Sequence, residues 1–152
     1  MVDTDIGRFT IGVFQDAIWA TRGLEALKRA GFAADLLSIV AKEGPEAAAL
    51  IERTLGGSAD RLELPGTGVV LARGAILEVL QGPSGDLSKL GLTGTIRRVG
   101  FLAHDGRIFE VLTARGGVLV AVRSEPRAAD ALTILHNYGG GNAAIGAWLG
   151  RV

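Results

Sequence analysis

The stretch V-L-V-A-V-R, Val118 to Arg123, is the strongest predicted strand in the chain and decides the fold. Successive residues of a strand point to opposite faces, so its three valines face one way and its leucine and alanine face the other. Both faces are therefore apolar, and a sheet built around such a strand needs cover on both sides. We expect that cover to come from helices on one face and from another part of the chain or a second copy on the other.

Two more strands are predicted nearer the amino terminus, at Phe9 to Phe14 and Leu36 to Ala41. Asp16 is a good helix N-cap, and apolar residues at helical spacing predict a helix over 17–30. Gly31 is suited to end this helix. The first unit is thus strand, helix, strand, which is typical of a crossover between parallel strands.

A second unit of the same kind starts with the deciding strand. Ser124 is the predicted cap of a helix over 127–137, and Ala143 to Trp148 is a possible final strand or a helical tail. Two such units predict a single α+β domain over 1–152, a ferredoxin-like βαβ…βαβ sandwich. The two halves are separated by a long glycine-rich insert, Glu43 to Gly116.

Within this insert, Pro45 suits the first turn of a helix over 46–55. From Leu62 to Gly100 the sequence predicts short strands or helical turns around loops. His104 to Ala114 favours a helix, although Asp105-Gly106 is equally typical of a hairpin turn.

Composition excludes several classes of protein. The 152 residues hold 16 basic and 16 acidic side chains and no cysteine, so neither nucleic-acid binding nor a disulfide framework is expected. Mean hydropathy is +0.34, but the most apolar window, Val69 to Leu80, is interrupted by Arg73 and Glu78. It is too short for a membrane span. We expect no stable membrane insertion, a cytoplasmic location, and a tendency to self-associate because little charge repulsion opposes contact.

Several phrases of the sequence resemble the bacterial general stress, or heat-induced stress, proteins. They are I-G-V-F-Q-D-A at 11–17, L-E-A-L-K-R-A-G-F at 24–32, L-S-I-V-A-K at 37–42, G-G-V-L-V-A-V-R at 116–123, and A-A-D-A-L-T-I-L at 128–135. The middle segment, L-P-G-T-G-V-V-L-A-R-G at 64–74, resembles a shortened form of the Gly/Ala-rich central segment of this family. The resemblance implies a ferredoxin-like domain without defined catalytic residues. The family's long hydrophobic stretch is reduced here and broken by charges.

Motifs for chemistry are sparse. Gly66-Thr67-Gly68 lacks the third glycine and the following helix of a dinucleotide fingerprint, so turn formation is the preferred interpretation. The two histidines, His104 and His136, do not supply a zinc motif by themselves, and no G-x-S-x-G nucleophile elbow occurs. We expect no cofactor, no metal and no enzymatic activity. Arginines at 97, 98, 107, 115, 123 and 127 make the second half mildly basic, which favours a solvated face over an anion site.

The candidate interface residues are Trp19 and Trp148, near the two ends of the chain, and Leu119 and Val120 on the deciding strand. For the two tryptophans, ordinary core packing is an equal alternative. The first hypothesis is a non-enzymatic structural or accessory protein, stress-associated by the resemblance, that forms a homo-oligomer or joins a larger assembly. An apolar sheet face left open to water would forgo roughly 1.5–3 kcal/mol per large side chain, so a second copy of the chain is the favoured cover. The alternative is a regulatory domain that senses a small molecule at a subunit interface.

Overall fold

The structure is a computed structural model that describes residues 9–99, 101–124 and 127–139. Five strands and six α-helices are formed by these residues. The strands are β1 (Phe9–Phe14), β2 (Leu37–Lys42), β3 (Asp60–Leu64), β4 (Gly68–Arg73) and β5 (Val118–Arg123). The helices are α1 (Ala17–Arg29), α2 (Pro45–Leu55), α3 (Ala75–Gln81), α4 (Asp86–Thr95), α5 (Ala103–Ala114) and α6 (Ala128–Asn137). Among the described residues, no helix combines the length and the apolar character needed to cross a membrane.

The five strands form one antiparallel sheet in the order β1-β5-β2-β4-β3. Strands β1, β2 and β3 therefore run in one direction, and β5 and β4 lie between them in the opposite direction. Although β5 comes from the far end of the chain, it pairs with β1 on one side and with β2 on the other. The three strands predicted from sequence lie side by side, which confirms that part of the prediction and the α+β class.

The sheet is covered by helices on both faces. On one face α1, α2 and α6 share an apolar cluster with the three valines of β5; the buried helix residues are Ala20, Leu24, Leu27, Ala47, Leu50, Ile51, Ala131 and Leu135. On the other face α3, α4, α5 and the short 3₁₀ helix Ile96–Val99 share a cluster with Leu119 and Ala121; the buried residues there are Ile76, Leu77, Leu80, Leu87, Leu92, Ile96, Val99 and Phe109. The alternation of faces predicted for β5 is confirmed, and the architecture has three layers.

The second helical layer comes from the segment expected to be an insert, Glu43 to Gly116. This segment adds β3 and β4 to the sheet and supplies α3, α4 and α5, so it is not a set of loops apart from the sheet. Of the two alternatives for 104–114, the helix is the one formed. The fold therefore covers its second face within one chain, and no sheet face of the described residues is left for a second copy.

This burial of both sheet faces contradicts the interface role predicted for two residues. Leu119 and Val120 are only 1% and 0% exposed, because each is buried beneath one of the two helical layers. The predicted cap of the last helix also differs, since Ser124 shares a 2.7 Å hydrogen bond with the Thr10 hydroxyl and α6 begins after Arg127. The possible final strand, Ala143 to Trp148, lies outside the described residues, so the complete ferredoxin-like arrangement stays a prediction.

One contact between layers depends on a glycine. Gly74 precedes α3 with a φ of +130°, and a Cβ there would lie 2.4 Å from the Ser38 Cα. This close approach lets the buried Ser38 hydroxyl accept a 3.1 Å hydrogen bond from the backbone N–H of Ile76. Strand β2 thereby caps the amino terminus of the helix that covers it.

We expect Gly74→Ala to lower the free energy of unfolding by about 2 kcal/mol or more, because backbone strain and overlap with Ser38 add. The matched control is Gly56→Ala, where φ is +75° and a Cβ meets nothing within 4 Å. That variant carries only backbone strain of about 1–2 kcal/mol. Urea denaturation measures both variants, and equal losses would contradict the close packing at Gly74.

We expect Leu119→Glu to abolish folding, because it places a carboxylate in an apolar cluster. The milder Leu119→Ala should lower the free energy of unfolding by about 2–5 kcal/mol through lost burial and a cavity. Circular dichroism and sedimentation test this pair. A folded Leu119→Glu protein of smaller oligomeric size would restore the interface role for this residue.

Candidate functional site

A groove of about 670 Å³ lies where β1 ends, between the two helical layers. It is open to the surface, and its size is within the range of sites for small ligands. The groove is lined by Val13, Phe14, Gln15, Trp19, Leu112, Arg115, Gly117, His136, Asn137, Tyr138 and Gly139. These residues come from the end of β1, the first turn of α1, and the carboxyl ends of α5 and α6.

The floor of the groove requires a tight connection between α5 and β5. The backbone N–H of Gly117 donates to the Leu112 carbonyl at 3.0 Å, which ends the helix. A Cβ on Gly117 would lie 2.7 Å from Val13 Cγ1 and 2.8 Å from the Leu112 oxygen. The glycine thus allows the end of α5 to approach β1, and it leaves Arg115 exposed at the rim.

The aromatic wall begins with Trp19 on α1. The Asp16 carboxylate caps this helix by accepting a 3.0 Å hydrogen bond from the Trp19 backbone N–H. The guanidinium of Arg22 lies 5.1 Å from the centre of the indole ring, within the range of a cation–π contact. Trp19 is 36% exposed and lines the groove.

Two helices end at the groove, and their last carbonyls carry partial negative charge that favours cations. Arg115 follows the last turn of α5, and His136 lies in the last turn of α6. Tyr138 follows α6 and is half-buried against the core. Within the described residues, neither the Arg115 guanidinium nor the His136 imidazole has an ion-pair partner.

The predicted site residues that the structure describes lie in different parts of the molecule. Trp19 lines the groove, Leu119 and Val120 lie in the core, and Trp148 lies outside the described residues. His136 is in the groove, whereas His104 is exposed in the first turn of α5, away from it. Of the arginines in the second half, Arg115 alone is among the described lining residues.

Gln15 and Tyr138 were not predicted from the sequence as site residues. Each follows the last residue of an element, Gln15 after β1 and Tyr138 after α6. The sequence does contain a signal for both: each is a polar residue just beyond the end of a strand or helix, and binding sites are commonly built at such positions. The turn interpretation of Gly66-Thr67-Gly68 fits the structure, since the Thr67 N–H donates to the Leu64 carbonyl at 3.1 Å in the β3–β4 hairpin.

A second cavity, of about 300 Å³, lies where β1 and β2 lead into α1 and α2. Its charged lining residues are Asp16, Lys42, Glu43 and Glu46. Three carboxylates against one ammonium group disfavour an anion, and the Lys42 ammonium already donates to the Ala114 carbonyl at 3.3 Å. Among the described residues, no group of three or more His, Cys, Asp or Glu side chains is placed to hold a metal ion.

Comparison of the chain with protein-family models, curated proteins and solved structures found no match. The resemblance to the bacterial general stress proteins therefore stays a prediction.

Substitution of Asp16 tests whether its carboxylate caps α1, the helix that carries Trp19 to the groove. We expect Asp16→Ala to lower the free energy of unfolding by about 1 kcal/mol, because the Trp19 N–H loses its acceptor. Asp16→Asn should retain most of the stability, since an amide oxygen can also cap. Urea denaturation of the two variants is the measurement. An Asn variant as unstable as the Ala variant would contradict a capping role.

Proposed function

We propose that the protein is a non-enzymatic binding module that holds a small planar anion in the groove at the end of β1. The observation that carries this proposal is the combination, in one groove, of the Arg115 guanidinium with the aromatic rings of Trp19 and Tyr138. The hypothesis from the sequence placed a ligand at a subunit interface, and we propose the groove within one protomer instead.

The carbonyl ends of α5 and α6 disfavour an anion in the groove, so binding of an anion joined to a flat ring depends on the positive charge of Arg115. A guanidinium binds carboxylate or phosphate oxygens through paired N–H groups, and it keeps its charge at all physiological pH values. The indole and phenol rings offer apolar faces on which a planar group can stack. The amides of Gln15 and Asn137 can donate to and accept from polar substituents.

The kinds of side chain that line the groove favour binding over catalysis. Nucleophilic catalysis pairs a serine, threonine, cysteine, lysine, carboxylate, histidine or tyrosine with a group that activates it. Of these residue types, the described lining of the groove holds only His136 and Tyr138, and it includes no carboxylate that could orient either ring. We therefore propose recognition of a ligand, with His136 as a second hydrogen-bonding or cationic contact.

The hypothesis of a structural homo-oligomer has lost one of its arguments. It favoured a second copy over the glycine-rich segment as the cover of an apolar sheet face, and α3, α4 and α5 of that segment bury the face within the chain. Self-association stays a prediction, supported by the zero net charge and by exposed apolar side chains such as Ile18 on α1. Ligand sensing is supported by a groove with a defined chemistry, so it is the function we propose.

Three probes separate the contributions to binding: phenyl phosphate, inorganic phosphate and phenol. We expect phenyl phosphate to bind most tightly in isothermal titration calorimetry, because it alone offers both a charge and a ring. Arg115→Gln should weaken it by about tenfold or more, since a hydrogen bond to a charged group contributes roughly 1.5–3 kcal/mol. Trp19→Ala should weaken phenyl phosphate but leave inorganic phosphate unchanged.

Arg107→Gln is the matched control, because Arg107 is an exposed arginine of α5 that does not line the groove. Its affinity for phenyl phosphate should equal that of the unaltered protein. Equal weakening by Arg107→Gln and Arg115→Gln would indicate general charge attraction. That result, or the absence of saturable binding of all three probes, would overturn the proposed site.

A further inference from the structure

The outer edge of β3, Asp60–Leu64, is exposed to water, and we propose that it pairs with β3 of a second copy of this chain. Among the described residues β3 has a strand partner on one side only, namely β4. Asp60, Arg61 and Glu63 are exposed, and Leu62 is half-buried. This strand edge is a different surface from the buried sheet face that was expected to form an interface, and it does not contribute to the lining of the ligand groove.

The backbone hydrogen bonds of β4 establish which residues of β3 face outward. The Val69 carbonyl accepts a 3.0 Å hydrogen bond from the Glu43 backbone N–H, so the polar groups of Val69 point away from β3. Because this direction alternates along an antiparallel strand, the next residue of β4 points its groups towards its β3 partner, Leu62. The backbone N–H and C=O groups of Arg61 and Glu63 therefore point to the open edge.

The side chains of the same two residues carry opposite charges on one face of the sheet. Leu62 and Leu64 pack into the cluster on the opposite face, so Arg61 and Glu63 lie on the face where α2 packs on β2 and β4. The Arg61 guanidinium forms a 2.7 Å ion pair with Glu43, and the neighbouring carboxylates, Glu43 first, raise its pKa. Among the described residues Glu63 has no ion-pair partner.

A two-fold contact matches these charges in a single register. Two-fold symmetry is the commonest symmetry of homo-oligomers, and an antiparallel pair of β3 strands must set outward-facing residues opposite each other. A register with Arg61 opposite its own copy, or Glu63 opposite its own copy, brings like charges together, which is destabilising. The register centred on Leu62 instead sets each Arg61 opposite Glu63 of the other chain.

In this register the backbone and the side chains pair at the same two residues. Opposed residues with outward groups exchange both N–H···O=C hydrogen bonds, and opposite charges directly across an antiparallel pair attract. The guanidinium has five N–H donors, so Arg61 can contact Glu63 of the second copy and keep its bond to Glu43. Asp60 lies opposite Leu64 of the second copy, at the end of the paired segment.

This complementarity is the reason to assign the edge to a second copy rather than to an unrelated strand. Charged side chains usually protect an edge strand against pairing. In β3, however, the charges at positions 61 and 63 repel most strands but match an antiparallel copy of the same strand. A contact made by one five-residue strand is smaller than a standard interface, so we expect a weak and reversible dimer.

Sedimentation of the full chain as a function of concentration tests whether this dimer forms. The weight-average mass should rise from that of a monomer towards that of a dimer between about 10 μM and 1 mM protein, the range of a weak contact. A protein that stays monomeric up to about 1 mM would overturn the proposal.

Two charge reversals test the register. Glu63→Arg sets arginine opposite arginine, and Arg61→Glu sets glutamate opposite glutamate, so each variant alone should dimerise at least about tenfold more weakly. An equimolar mixture of the two variants should associate again, because a heterodimer places an arginine opposite a glutamate at both positions. Circular dichroism should show that both variants keep the fold, since the two side chains are exposed.

Glu25→Arg is the matched control, because Glu25 is an exposed glutamate of α1, outside β3. This variant should dimerise as the unaltered protein does. Three results would overturn the proposed contact: undiminished dimerisation of both β3 variants, a mixture that associates no more than its separate components, or equal weakening by Glu25→Arg.

Discussion

The placement of β5 between β1 and β2 is the constraint on which the rest of the structure depends. Because β5 is apolar on both faces and pairs on both sides, it must lie in the interior of a sheet that has a helical layer above and below. That requirement explains why the chain needs α3, α4 and α5. It also explains why α3 and α4 are rich in buried leucine and isoleucine, although the segment that contains them is rich in glycine.

Much of the fold could be predicted from local patterns. β1 and β5 have the predicted boundaries, β2 begins one residue later than expected, and Gly31 adopts the positive φ expected after α1. These features depend on alternation, capping and residue type, which are readable in a short window. The segment 62–100 was less readable because its glycines serve different purposes. Gly91 interrupts α4 with a φ of +74°, whereas Gly74 allows close approach to β2.

The candidate site was less predictable than the fold. Its residues come from β1 and α1, which are neighbours early in the chain, and from α5 and α6, which are much later. Only the packing of two helical layers around the end of β1 brings Arg115 near Trp19 and Tyr138. Trp19 was selected for its position near the amino terminus, and the structure gives a different reason for its importance. Leu119 and Val120 were misassigned because an apolar strand residue has the same sequence signature whether it faces a partner or its own helices.

The insertion of β5 also has a consequence for how the chain folds. The hydroxyls of Thr10 and Ser124, which share a hydrogen bond, are 114 positions apart. During synthesis β1 and β2 emerge early, and β5, which lies between them in the folded sheet, is made later than any other strand of the described residues. Pairings of such long range slow folding and leave apolar strands exposed in the meantime. The apolar strands β1 and β2 therefore lack their shared neighbour until β5 leaves the ribosome.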